Sequence, residues 1–127
     1  MSVYLLDTHA LVWWWLEDPK LSPTASAAIT DGDIMVSPIS IYEIANKVRL
    51  GKLPALTGVL AAYRDVLTSD GFASLTVTMD HAHDAGLLVG RHRDPFDRFI
   101  AAQALVEDLT VITRDRAIAA FGCKVLW

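Results

Sequence analysis

A chain of 127 residues that is 53% hydrophobic is predicted to fold as one domain, residues 1–127, around a sizeable core. Its net charge of −4 excludes bulk attraction to a polyanion, so a nucleic-acid contact would need a local basic patch or metal ions. The one cysteine, Cys123, excludes an intrachain disulfide. Because no segment resembles a membrane span or a signal peptide, we expect a cytoplasmic location.

The N-terminal segment combines a short apolar run with a tryptophan-rich helix. Residues Val3 to Leu6 predict a buried strand that ends at Asp7, and a helix is expected over 9–17. This helix contains three consecutive tryptophans, Trp13 to Trp15. Successive helical residues point about 100° apart, so the three rings do not share one face. We expect one or two in the core and another exposed or at a partner surface.

The rest of the chain alternates strand and helix patterns. Helices are predicted over 23–30, 39–50, 57–69, 80–89, 95–107 and 116–120, and strands over 34–36, 72–77, 109–113 and 124–126. This alternation favours an α/β fold, with a parallel sheet of about five strands flanked by helices on both faces. In such a sheet, the carboxyl ends of the strands and the starts of the crossover helices meet at one edge, where ligands bind.

The segment from His92 to Arg98 places two carboxylates three residues apart at the start of a predicted helix. Asp94 suits the N-cap, Pro95 suits the first helical position, and Asp97 suits the N3 position of a capping box. Capping accounts well for Asp94. Asp97 by itself fits a cap or a functional site equally.

Four carboxylates from separate parts of the chain are predicted to converge at the ligand-binding edge. Asp7 follows the first strand, Asp115 follows the strand over 109–113, and Asp97 starts the helix that leads to that strand. Glu43 lies in the helix after the second strand. Each has a plainer alternative: Asp7 as a turn residue, Asp115 as a helix cap, and Glu43 in a surface ion pair with the residue four positions on.

Carboxylates that lie close together raise each other's pKa, and a divalent cation offsets this repulsion. An all-oxygen ligand set favours Mg²⁺ or Mn²⁺ over Zn²⁺. His9 and His92 lack paired ligand spacing, so we expect them on the surface or supporting a metal ligand. Such a cluster suits metal-assisted phosphodiester hydrolysis, with one carboxylate as a general base.

Four segments resemble, in order and spacing, the motifs of PIN-domain nucleases, and most closely the VapC-type toxins of bacterial toxin–antitoxin pairs. They are residues 5–11, LLDTHAL; 40–45, SIYEIA; 92–104, HRDPFDRFIAAQA; and 111–115, VITRD. The resemblance implies an endoribonuclease that depends on Mg²⁺ or Mn²⁺ and acts as a toxin neutralised by a cognate antitoxin. It also implies a PIN-like sheet, a homodimer, and contact with operator DNA only through the antitoxin.

Carried over motif by motif, the resemblance assigns metal binding and catalysis to four acids: Asp7, Glu43, Asp97 and Asp115. Asp94 has no counterpart in the family pattern and stays a cap. Tyr42 stands where this subgroup often has Trp, and Asn46 stands where an apolar residue is common, and neither change touches the acidic set.

Basic residues surround these motifs and are candidates for contacts with RNA phosphates. Arg98, beside Asp97, is the best single candidate, followed by Arg93, Arg116 and Lys47. The alternative is a solvated face, or charge balance against the carboxylates.

Two other functions remain open. One is a metal-dependent phosphatase or a phospho-receiver domain, which also needs an acid after the first strand. A receiver would in addition need an acidic pair near the start and a Lys after a late strand, where this chain has Arg114. The other is a non-catalytic binding module that keeps the PIN fold.

Overall fold

The computed structural model describes residues 2–127 and forms a five-stranded sheet in which every neighbouring pair is parallel. The strand order is β3-β2-β1-β4-β5. The strands are β1 Val3–Leu6, β2 Asp33–Val36, β3 Ala73–Ser74, β4 Thr110–Ile112 and β5 Val125–Leu126. The predicted parallel sheet of about five strands is therefore confirmed.

Eight α-helices connect these strands within residues 2–127, together with one turn of 3₁₀ helix at Pro54–Leu56. They are α1 Thr8–Leu16, α2 Pro23–Asp31, α3 Pro38–Arg49, α4 Thr57–Ala61, α5 Tyr63–Asp70, α6 Met79–Leu87, α7 Pro95–Glu107 and α8 Arg116–Ala120.

Two predicted elements differ from the structure. The expected helix over 57–69 is two helices, because Ala62 leaves helical geometry with φ −117° and ψ 27°. The spacing of apolar residues does not register an interruption of one residue. The expected strand over 72–77 contracts to β3, since this segment lies at the sheet edge and pairs with β2 for only two residues.

The core lies on both faces of the sheet because successive strand residues point to opposite sides. Leu6 and Ile112 pack on the face that is covered by α1 and α3. Leu5 and Val111 pack on the opposite face, against α7 and α8. All four side chains are fully buried, so the expectation of helices on both faces is confirmed.

The three tryptophans divide their contacts along the first face. Trp13 is buried, and Trp14 and Trp15 are half-buried against the same core. The Trp15 indole donates a hydrogen bond of 3.1 Å to a carboxylate oxygen of Asp70 at the end of α5. No tryptophan of the three is fully exposed, so that part of the expectation is wrong. Trp14 and Trp15 line an open cleft of about 510 Å³, and a partner surface there stays a prediction.

Parallel pairing of β1 with β4 brings their carboxyl ends to the same edge of the sheet. Asp7 leaves β1 at this edge, and Thr113 leaves β4 beside it. The amide of Asp7 donates to the carbonyl of Ile112, which extends the pairing by one step. Among residues 2–127, we find no helix whose length and apolar character would let it cross a membrane.

Candidate active site

Asp7 occupies the N-cap position of α1, but its side chain makes no capping hydrogen bond. Its Oδ2 accepts a 2.8 Å hydrogen bond from Thr113 Oγ1, while Oδ1 is buried without a partner among the described residues. Burial raises the pKa of Asp7 to about 6; the Thr113 hydrogen bond opposes this rise and the charge of Asp97 adds to it. A buried carboxylate with a free oxygen is stabilised by a proton or a cation.

Asp97 lies in the first turn of α7, and its Oδ2 is 2.6 Å from His92 Nε2. Burial raises the pKa of Asp97; the His92 hydrogen bond opposes the rise, and the charges of Asp94 and Asp115 add to it. The same hydrogen bond raises the pKa of His92. The predicted capping box is wrong, because Asp97 turns to His92 rather than to the backbone of the N-cap.

Asp94 caps α7, as the sequence predicted. Its Oδ1 accepts from the amide of Phe96 at 2.9 Å. Asp94 also belongs to a cluster with His92 and Asp97, in which one possible ligand atom from each residue lies within 4.8 Å of the others. His92 is half-buried and bonded to Asp97, and its expected role as a support for a metal ligand stays a prediction.

Asp115 combines a cap with a place at the site. Its Oδ1 accepts from the amide of Ala117 at 2.9 Å, so it caps α8. The amide of Asp115 donates to Thr113 Oγ1 at 3.0 Å, which ties the loop after β4 to the residue that also holds Asp7. Asp115 and Asp7 line the same open cleft, whose volume is about 490 Å³.

Glu43 lies in the second turn of α3 and is 7% exposed. Its Oε2 is 3.0 Å from Lys47 Nζ, so the ion pair considered from the sequence exists, with Glu43 buried and Lys47 partly exposed. One turn earlier, the Ser40 and Thr8 hydroxyls share a buried hydrogen bond of 2.8 Å that fixes α3 against the start of α1. This contact sets how Glu43 is presented to the edge.

Three of the four predicted acids are therefore linked electrostatically, and the four do not form one compact cluster within residues 2–127. Asp97 raises the pKa of Asp7, and Asp115 raises that of Asp97, so these three charges act on one another. Glu43 is paired with a lysine instead. Within residues 2–127, no three of the four offer oxygens within 4.8 Å of one another. Asp97, Asp115 and Glu43 are each engaged by a partner of their own.

Comparison with known proteins identifies the family. The sequence model of the PIN-domain family, described as "PIN domain", matches residues 4–122. The chain belongs to the PIN-domain family. This PIN domain is 30% identical over 120 residues to Ribonuclease VapC22 of Mycobacterium tuberculosis, a match that covers 93% of this chain and 91% of the relative. The likeness to VapC-type PIN ribonucleases inferred from the four motifs is confirmed.

Solved structures of similar fold come from toxin–antitoxin complexes. VapBC2 from Rickettsia felis, bound to a promoter DNA fragment, superposes with a TM-score of 0.73 at 17% identity and covers 98% of both chains. VapBC-5 from Mycobacterium tuberculosis superposes with a TM-score of 0.60 at 26% identity, over 99% of this chain and 97% of that one. The first likeness supports the PIN-like α/β fold alone.

Arg98 of this PIN domain is half-buried at an open cleft, and its guanidinium is bonded to the main chain. Its Nε donates to the carbonyl of Ala85 at 3.0 Å, its Nη1 to that of His92 at 3.0 Å, and its Nη2 to that of Leu88 at 2.5 Å. Its guanidinium also lies 5.4 Å from the ring centroid of Phe121. The geometry therefore does not favour Arg98 as the leading phosphate contact, because three of its N–H groups already have acceptors.

The other basic candidates have different surroundings. Arg93 is exposed, and Lys47 is bound to Glu43. Arg116 lines the cleft that contains Asp7, together with Arg114, whose guanidinium lies 4.4 Å from the ring centroid of Trp13. Both arginines flank Asp115 in sequence, and that adjacency is the sequence signal for their position in this cleft.

The sequence did not single out three of the contacts that build this site. They are the Thr113–Asp7 hydrogen bond, the His92–Asp97 hydrogen bond and the Thr8–Ser40 hydroxyl pair. Two join residues far apart in the chain, and the third spans a loop and a helix start, so no periodic pattern predicts them. The placement of Thr113 directly after an apolar strand was the one available signal.

Proposed function

We propose that this PIN domain, as a single nuclease unit over residues 1–127, is an endoribonuclease that depends on Mg²⁺ or Mn²⁺ and hydrolyses RNA phosphodiester bonds. The observation that carries the proposal is the state of Asp7: its Oδ1 is buried without a partner among the described residues, beside the charge of Asp97. A cation would supply the missing partner and offset the repulsion between the two carboxylates.

The residues present fit a divalent ion of the magnesium type. Asp7, Asp97 and Asp115 offer carboxylate oxygens and influence one another electrostatically, and Glu43 would join them by exchanging Lys47 for the ion. Oxygen donors of this kind are the ones that Mg²⁺ and Mn²⁺ select. When bound, such an ion lowers the pKa of water and neutralises charge that develops on the phosphate oxygens.

The protein's own side chains would orient the substrate. Arg114 and Arg116 line the cleft with Asp7 and Asp115, and they provide positive charge to an otherwise acidic surface. Because Arg114 stacks on Trp13, its guanidinium is held in place before a phosphate arrives. A preoriented arginine loses less conformational freedom on binding than a free one.

Cleavage of RNA tests the proposal. The wild-type protein is incubated with RNA and Mg²⁺ or Mn²⁺, with and without EDTA, beside Asp97→Asn and a matched control, Asp65→Asn. Asp65 is exposed on α5. We expect cleavage by the wild type and by Asp65→Asn, no cleavage with EDTA, and a loss of at least about 100-fold in Asp97→Asn. Equal cleavage by wild type and Asp97→Asn would exclude the proposal and favour a non-catalytic PIN module.

We further propose that the nuclease is the toxin of a toxin–antitoxin pair, forms a homodimer, and contacts operator DNA only through its antitoxin. Support comes from its similarity to VapC22 and to a chain of the VapBC-5 toxin–antitoxin system. A short reading frame upstream of this one would encode the candidate antitoxin. It should co-purify with this chain, stop RNA cleavage and bind promoter DNA, whereas the PIN domain alone should not shift that DNA. Light scattering on the isolated protein tests the dimer.

A further inference from the structure

We propose that His92 and Arg98 are positioning residues for Asp97: Arg98 fixes the loop over 88–94, and through it His92 fixes the orientation of the Asp97 carboxylate. This inference rests on the proposed function in one respect, since it takes Asp97 to be a metal ligand. The contacts that support it exist independently of that role.

The loop between α6 and α7 has no regular secondary structure, and Arg98 supplies its anchorage. One guanidinium donates to carbonyls at three places: Ala85 in α6, Leu88 at the end of that helix, and His92 within the loop. A planar guanidinium with several fixed N–H directions is suited to join three acceptors at once, whereas a lysine ammonium lacks that fork. This one side chain therefore ties the loop to the end of α6.

Phe121 gives the same loop an apolar support. The Arg98 guanidinium lies over its ring, and the His92 ring centroid lies 6.2 Å from the Phe121 centroid. Gly90 passes so close that a Cβ at this position would stand 2.9 Å from a Phe121 ring carbon. The loop is therefore held by carbonyl hydrogen bonds on one side and by an aromatic ring on the other.

His92 transmits this position to Asp97. Its main-chain carbonyl is held by Arg98, while its Nε2 lies 2.6 Å from Asp97 Oδ2. An ionised carboxylate only accepts hydrogen bonds, so Nε2 carries the proton and donates. With Oδ2 engaged, rotation of the carboxylate is restricted, and Oδ1 is left to face a ligand. Hydrogen bonds of this kind to metal ligands are worth about 10- to 100-fold in metal affinity.

This role differs from the phosphate contact expected of Arg98 from the sequence. A phosphate contact needs free N–H groups, but three of those on Arg98 are bonded to carbonyls. Arg91 and Arg93 are exposed on the same loop, and they line an open cleft of about 590 Å³ together with the half-buried Arg98. A change at Arg98 should therefore alter metal binding first, and RNA affinity only as a consequence.

Titration calorimetry with Mn²⁺, without RNA, tests the inference. The variants are His92→Ala, His92→Gln, Arg98→Lys and the double variant His92→Ala/Arg98→Lys. Arg64→Lys is the control, because Arg64 also stacks on an aromatic ring but lies on α5. We expect His92→Ala and Arg98→Lys each to weaken Mn²⁺ binding by about 10- to 100-fold. His92→Gln, which keeps a donor near the Nε2 position, should recover most of the affinity, and Arg64→Lys should match the wild type.

The double variant tests whether the two residues act in series. If Arg98 acts through His92, the double variant should bind Mn²⁺ no more weakly than the poorer single variant, because the second change removes nothing further. Additive losses would overturn the serial arrangement. Wild-type Mn²⁺ affinity in both single variants, with a weaker affinity of Arg98→Lys for RNA, would restore Arg98 as a phosphate contact and overturn the inference.

A readout on the metal-free protein separates this inference from the proposed function. The ¹⁵N signals of the His92 ring report the hydrogen bond to Asp97 at a fixed pH. They should change in Arg98→Lys and Asp97→Asn and not in Arg64→Lys. An unchanged signal in Arg98→Lys overturns the positioning role even if the wild type binds Mn²⁺. A changed signal in Arg98→Lys, combined with a wild type that binds no Mn²⁺, overturns the metal site and leaves the Arg98–His92–Asp97 linkage in place.

Discussion

Thr113 Oγ1 donates a 2.8 Å hydrogen bond to Asp7 Oδ2 and joins two residues that lie 106 positions apart in the chain. The same oxygen accepts the amide of Asp115. One hydroxyl at the end of β4 therefore sets the orientation of the acid after β1 and the start of the loop that carries another acid. The pairing of β1 with β4 makes this contact possible, because it brings the two strand ends side by side.

Replacement of Thr113 by Val should show how much the hydroxyl contributes to stability, because valine keeps the shape of the side chain and lacks the hydroxyl. Thr113→Val leaves Asp7 Oδ2 and the Asp115 amide without their partner in a buried setting, so we expect a loss of about 1–3 kcal/mol in the free energy of unfolding. Thr113→Ser keeps the hydroxyl and is the matched control, with a loss below about 1.5 kcal/mol. Chemical denaturation in EDTA measures both. Similar losses in the two variants would mean that the methyl group, rather than the hydroxyl, stabilises this position.

The metal-free protein should lose stability as the pH rises, because folding favours protonated Asp7. The folded pKa of about 6 lies above the ordinary value of 3.8, so this stabilisation is complete below about pH 4 and is lost as the pH rises through about 6. The difference corresponds to about 3 kcal/mol. In EDTA, Asp7→Asn should match the wild type near about pH 4 and exceed its free energy of unfolding by about 1–3 kcal/mol near about pH 7. Mn²⁺ should stabilise the wild type and not the variant. If the difference in free energy of unfolding between Asp7→Asn and the wild type did not vary with pH, ionisation of Asp7 would not be its cause.

One substitution at Asp94 distinguishes a helix-capping role of this residue from a metal-binding role. Serine is a good N-cap but has no carboxylate, so Asp94→Ser should keep stability within about 0.5 kcal/mol and keep Mn²⁺ affinity within about twofold. Asp94→Ala removes the bond to the Phe96 amide and should cost about 1 kcal/mol. Thermal unfolding and calorimetry measure the two quantities. A loss of Mn²⁺ affinity in Asp94→Ser would place the Asp94 carboxylate among the metal ligands, with His92 and Asp97 of the same cluster.

Arg114 should contribute to RNA affinity through a phosphate. Its guanidinium lines the cleft that contains Asp7 and Asp115, and it is oriented by Trp13. Arg114→Ala should weaken binding of single-stranded RNA and reduce the slope of log K against log salt by about 0.7. Arg64→Ala is the control, since that arginine stacks on Tyr63 away from this cleft. Binding is measured by fluorescence anisotropy in EDTA, so that cleavage does not interfere. An unchanged salt slope in Arg114→Ala would assign Arg114 to charge balance against the acids.

Much of the fold followed from local patterns in the sequence. Short apolar runs bounded by Asp, Gly and Pro gave the strands, and the pairs Ser22–Pro23 and Asp94–Pro95 marked the helix starts where both caps are found. These features are determined within a few residues, so the sequence reveals them. The break at Ala62 and the contraction of β3 were missed, because the first is a local backbone choice and the second depends on how far β3 can pair with its neighbour.

The candidate site divides in the same way. Chain order and the parallel-sheet rule predict that Asp7, Glu43, Asp97 and Asp115 lie at one edge, since strand ends and helix starts share that edge. In the structure, the charges of Asp7, Asp97 and Asp115 influence one another, whereas Glu43 pairs with Lys47. The partner of each acid was not determined by those rules. The position of the 88–94 loop decides two of these contacts. It decides whether Asp97 contacts the helix backbone or His92, and whether Arg98 faces solvent or donates to three carbonyls.

The sequence by itself determined the family and the parallel architecture, and it predicts which acids lie at the edge of the sheet, because spacing and order encode these features. Only the tertiary structure decided the state of those acids. Asp7 is desolvated beside Thr113, Glu43 is buried and paired with a partly exposed Lys47, and Arg98 donates to main-chain carbonyls. Burial and hydrogen-bond geometry are properties of the packed chain as a whole. They set the charge and orientation of each group, and no single segment of the sequence contains that information.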